Sequence, residues 1–174
     1  MSNGIVRLGR VAATKNGNLI SARYYVGATP TAINNGMLVI EDGLIDADTD
    51  RDLFKVVYPS AITNKGVGVV TTPEIVYSEA TKQNLADFTN AASANIRITN
   101  LQEGDELSVT EDCLNMLATV PVVGNYVILK ASSTLWDEVE SLGGTELFYG
   151  KIIAKELFNT TRTTYMYVIK ILSV

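Results

Sequence analysis

Hydrophobic positions in this chain recur mostly with a period of two. The run Met37-Leu38-Val39-Ile40 leads through Glu41-Asp42-Gly43 into the acidic stretch 46–52, after which Phe54, Val56 and Tyr58 alternate with Leu53, Lys55 and Val57 as far as Pro59. This predicts a strand, an acidic turn and a second strand. Residues 67–71 make a third short β segment, halted by Pro73. Ile96 and Ile98 then alternate with Arg97 and Thr99, Leu107 and Val109 flank Ser108, and 125–130 is a further apolar strand. Two longer β segments finish the chain, 146–158, with Gly150 as a bend or bulge, and 163–172.

One segment has helical spacing. Across 79–93, Leu85, Phe88 and Ala92 fall on one face, Ser78 suits the N-cap and Glu79 the first turn. Single helical turns also fit 111–117 and the Leu135, Val139, Leu142 set, the latter stopped by Gly143-Gly144. Residues 1–36 are rich in Gly, Asn, Ala, Thr and Ser, with a short apolar piece at 23–26 and turn dipeptides at Asn3-Gly4, Asn16-Gly17 and Asn35-Gly36. They read as an extended arm with one small hairpin at Asn16-Gly17. The fold class expected is mainly β with one amphipathic helix (α+β): an N-terminal arm over 1–36, then a compact β-barrel-like body over 37–174. The body has room for two closely packed parts, 37–104 and 105–174.

The last strand is apolar on both faces, with Tyr165, Tyr167, Ile169 and Ile171 on one side and Met166, Val168 and Leu172 on the other, interrupted by Lys170. A sheet with one wet face shows polar alternation instead. Both faces are therefore expected to be covered, by the rest of a small barrel or by a neighbouring subunit meeting Tyr165, Tyr167 and Ile169.

Charge sharpens the division into arm and body. Arg7, Arg10, Lys15 and Arg23 precede the first carboxylate, Glu41, and all 19 acidic residues lie beyond them in a chain of net charge −5. The 174 residues suffice for a real core. The single cysteine, Cys113, has no internal disulfide partner. No charged segment followed by an apolar stretch opens the sequence, so a secretory signal is not expected, nor is a membrane span, which needs about 18 consecutive apolar residues. The setting expected is intracellular or virion-like.

The chemistry-bearing patterns are weak. The sequence contains no histidine, which removes the commonest general base and zinc ligand. Cys113 lies between acids and apolar residues, where a thiolate is disfavoured. Asp46, Asp48 and Asp50 begin like a calcium loop, but Arg51 and Val57 occupy the places of its glycine and bidentate glutamate, so a solvated turn is the better reading than a weak cation site. Gly144 to Lys151 is one residue too long for a phosphate loop, and Gly66-Val-Gly lacks a third glycine and a helix. No catalytic residue, metal ligand or cofactor site is assigned, and an enzyme is not expected. Tyr24 and Tyr25 beside the arm's sparse positive charge are too few for nucleic acid against an acidic body.

From Gly36 to about Lys130, the succession NGMLV, RDLFKVVYP, VVTTPEIVY, LADFTNAASANIRITNL, GDELSVTEDCL and VGNYVIL resembles the small head decoration, or cement, proteins of tailed bacteriophages. The resemblance implies a virion structural protein that binds the shell of major capsid protein, as trimers or other symmetric clusters, and stabilises it after assembly in the host cytoplasm. Neither nucleic acid nor membrane is implied as a partner. Arg7, Arg10, Lys15, Arg23, Tyr24 and Tyr25 would then form a docking arm, through backbone pairing as well as charge. A tail-tube or head-tail connector subunit and a surface ligand-binding module are the alternatives.

Overall fold

A computed structural model describes residues 4, 18–46, 50–74, 88–159 and 164–174. Among the described residues twelve strands follow one another: β1 (Leu19–Val26), β2 (Thr29–Pro30), β3 (Leu38–Asp46), β4 (Asp50–Val57), β5 (Val67–Val70), β6 (Ile96–Asn100), β7 (Glu106–Thr110), β8 (Leu114–Asn115), β9 (Tyr126–Leu129), β10 (Trp136–Val139), β11 (Tyr149–Asn159) and β12 (Thr164–Ser173). The described residues contain no α-helix, and a single 3-10 turn, Glu111–Cys113, leads into β8.

The first six strands make a barrel. The order β1-β4-β3-β5-β6 closes on itself because β1 also pairs with β6, and β2 hangs from β1 as a short tab. Register explains why β1 belongs there. Ala22 lies opposite Phe54 and Ile96, Ile20 opposite Ile98, and Tyr24 opposite Val56, so the alternate residues Ile20, Ala22 and Tyr24 join one apolar face. Paired residues share a face, and that face fills the barrel. Gly68 belongs to it for a steric reason: a Cβ there would sit 2.4 Å from Ile98 Cγ2.

The second six strands form an open, curled half-barrel in the order β7-β12-β11-β9-β10-β8. It joins the barrel beside the start of β3, and β5 is buried on both faces. Main-chain and side-chain bonds fix the join. The Leu38 amide donates to Thr134 O (2.7 Å), the Ser132 amide to Pro59 O (2.8 Å), and the buried Trp136 indole Nε1 to Gly36 O (2.8 Å). One hydrophobic core runs through both sheets, from Ala22 and Ile98 to Trp136, Phe148 and Ile171.

Several expectations change. Residues 18–36 are not an arm, because β1 is a stave of the closed barrel and Gly4 is buried against Cys113, Met37 and Asn35. The hairpin at Asn16-Gly17 lies outside the described residues. So do 79–87 of the expected helix, while 88–93 are not helical: Asn90 exchanges backbone bonds with Ile33, and Ser93 takes a φ of 66°. The turn expected at 135–142 is strand β10, with Trp136 and Glu138 buried and Asp137 and Val139 less so. That is a period of two, and the ladder offered by β9 decides it. Gly150 does sit at a register irregularity between β11 and β12.

Candidate functional site

The most unusual surface of the described residues is the loop from Met116 to Val123, between β8 and β9. Met116, Leu117, Val120, Val122 and Val123 are 37 to 56% exposed, and no charged residue occurs from Cys113 through Leu129. Apolar surface gathered in this way marks a contact site more often than a lone exposed leucine does.

The loop is held from beneath. Glu138 is on β10 two residues after Trp136, so the strand's alternation turns both inward, and its side chain is 1% exposed. Burying a carboxylate is costly unless hydrogen bonds replace its water. Here Leu117 N donates to Oε2 (3.2 Å), and Val122 N (2.8 Å) and Asn125 Nδ2 (2.8 Å) donate to Oε1. Both legs of the loop are thereby tied to one side chain. Outside this tie, Asn115 Nδ2 donates to Asp137 Oδ1, which also takes the Lys130 ammonium at 3.4 Å.

The returning leg turns at Gly124, where φ is 104°, a value that disfavours any residue with a Cβ. The Gly124 amide donates to Ile152 O (2.8 Å), and Ile152 N to Asn125 O (2.9 Å), extending the β9–β11 ladder beyond Lys151. Val123 and Ile153 flank this bridge. Ile153 falls where the β11–β12 register slips between Ile152 and Ala154, and its side chain is exposed, as is that of Leu157 farther along β11. The apolar loop and the outer part of β11 therefore form neighbouring parts of one edge. Lys155 extends over Tyr165, 3.9 Å from the ring centroid, and caps the aromatic side of the hairpin.

The described residues contain no cluster of three His, Cys, Asp or Glu side chains able to hold a metal ion. No protein-family model, curated protein or solved structure matches the chain.

The residues singled out from sequence fall elsewhere. Arg7, Arg10, Lys15 and Asp48 lie outside the described residues, as does the side chain of Asp50. Arg23, Tyr24 and Tyr25 are on β1. Tyr24 is buried, and burial, then the nearby Tyr58, raises its phenol pKa, so its ring is a core element and not a docking group. Tyr25 lies under the Lys55 ammonium, 5.8 Å from its ring centroid. Tyr167 and Ile169 are fully buried and Tyr165 half-buried inside the chain's own core, which corrects their assignment to a subunit contact. Burial raises the Tyr167 phenol as well, opposed by Lys155. The loop 116–123 escaped the sequence reading because an apolar run looks the same buried or exposed; its one signal was the long absence of charge.

Proposed function

We propose that the protein is a structural component of a bacteriophage virion that attaches to the assembled capsid shell and reinforces it, with the loop 116–123 as its principal contact. The observation that carries this reading is the uncharged loop held out from a closed β body by the buried Glu138 carboxylate. A loop fixed before contact loses little conformational freedom on binding. The resemblance of the segment 36–130 to head decoration proteins supplies the partner.

The energetics favour many copies over one strong site. Full burial of a Val, Leu or Met side chain contributes about 1.5–3 kcal/mol, so five half-exposed ones offer roughly 4–7 kcal/mol. Association alone costs about 4–15 kcal/mol. A monomer would hold weakly; a symmetric cluster, with a trimer the leading form, gains from multivalency.

The test is a binding assay of purified protein with expanded and unexpanded capsid shells, counting bound copies. Stoichiometric binding that Leu117→Asp and Val122→Asp abolish without unfolding the protein is expected. Absence from both shells removes the proposed role; binding that survives both substitutions removes the loop from it. Hundreds of copies on tailless heads are expected, whereas a tube or connector subunit would be missing there.

A further inference from the structure

A second surface differs from the loop in character. Where β1 meets β6 to close the barrel, an open cleft of about 370 Å³ runs along the seam. Its floor is Ile96 and Arg97, one wall is Leu19 and Ser21, and the other is Thr72 and Pro73. The far wall is fixed because the Arg97 amide donates to Thr72 Oγ1 (3.1 Å) and Thr71 N to Arg97 O (2.9 Å).

Register places the cations. Ser21 pairs with Arg97 across β1–β6, and Arg23 pairs with Lys55 across β1–β4, so all three basic side chains project from the outer face of the barrel, Arg23 and Arg97 at the seam and Lys55 one strand beyond it. Lys55 is neutralised by Asp42 at 2.7 Å. Arg23 spends its Nε on Asn95 Oδ1 (2.7 Å), a residue that lines the cleft. Neither guanidinium forms an ion pair among the described residues. In a chain of net charge −5, two arginines without an ion pair beside a cleft of mixed polar and apolar lining are a local reversal of sign.

We propose that this seam cleft binds an extended acidic peptide segment of a partner protein, its carboxylates on Arg23 and Arg97 and its intervening side chains against Leu19 and Pro73. Guanidinium forks pair with carboxylates in bidentate geometry. The closed barrel has no free edge at the seam, so recognition is by side chains. The acidic remainder of the chain disfavours a polynucleotide. The proposal is independent of the capsid reading.

The probe is a fluorescein-labelled heptapeptide of alternating valine and glutamate, titrated with the full chain and followed by anisotropy at low and at physiological salt. Saturable, salt-weakened binding is expected, with Arg97→Gln and Arg23→Gln each lowering affinity about tenfold while the circular dichroism spectrum is unchanged. A lysine–valine heptapeptide should not bind. Three results would overturn the proposal: no saturable binding of the acidic peptide, binding by both arginine variants as tight as that of the unsubstituted chain, or tighter binding of a single-stranded oligothymidylate.

Discussion

Replacing Glu138 by glutamine tests whether one side chain holds the exposed loop. The carboxylate accepts Val122 N and Asn125 Nδ2 on Oε1 and Leu117 N on Oε2. Glutamine keeps one acceptor oxygen, and its best orientation preserves the Oε1 pair. The amide NH2 then faces the Leu117 amide, donor against donor, and an orphaned buried donor costs about 1–3 kcal/mol. Loss of charge from the two remaining bonds costs about 1 kcal/mol each, since hydrogen bonds to charged groups are worth about 1.5–3 kcal/mol against 0.5–1.5 for neutral ones. Burying a neutral amide in place of an anion returns part of this. The expected net loss is about 2–4 kcal/mol, or roughly 5–15 °C in Tm for a chain of this size. Thermal denaturation measures the total, and amide exchange locates it: Leu117 and Val122 should lose protection while the core strands β5 and β12 keep theirs. If those two amides remain protected and Tm moves by less than about 2 °C, the carboxylate is not what fixes the loop. Shell binding should fall in the same variant, because a loose loop must be ordered at the contact.

Three further outcomes can be checked. Gly68→Ala forces a methyl to within 2.4 Å of Ile98 Cγ2 inside the barrel, and urea denaturation should show a loss of about 1–3 kcal/mol. Deleting residues 1–30 removes the stave β1 with buried Ala22 and Tyr24; the product should show no cooperative unfolding, and a cooperative, stable product would mean β1 is dispensable. Two carboxylates should impose opposite pH dependences. Burial raises the Glu74 pKa above its ordinary 4.5, with the Asn35 amide opposing, so the native state holds its proton longer and stability falls as pH rises through that interval. The amides of Glu146 itself and of Gly143, Gly144 and Thr145 lower the Glu146 pKa, so its contribution is complete above 4.5 and disappears as pH falls through the lowered value. Glu74→Gln should therefore be neutral or stabilising at pH 7, and Glu146→Gln destabilising at pH 7 but not in acid; denaturation curves at both pH values distinguish them.

What the sequence disclosed depended on how a segment's neighbours treat it. Strands β5, β6, β7, β9 and β12 are legible because Val, Ile and Leu alternate or run together where sheet surfaces are covered. β1 was obscured by its composition: the inward Ala22 is small, and the outward Ser21 and Arg23 make it look like linker until Phe54 and Ile96 are seen opposite. β10 presented spacing that fits a helical turn as well as a strand, and only pairing with β9 separates the two. The exposed loop 116–123 was hidden for another reason. Nothing in the order of residues announces that Glu138 lies beneath Leu117 and Val122, since that requires β8, β9 and β10 to be assembled first.

The pairing of β1 with β6 also sets a schedule. Leu19 finds its partner in Thr99, so the first stave to leave the ribosome must wait until most of the barrel has been synthesised. Contacts so distant along the chain pay their loop-closure entropy late and slow folding. Until the two meet, each presents an open edge, ready to pair with another chain. High expression and crowding should therefore penalise this protein through aggregation at the unclosed seam more than through weakness of the finished fold.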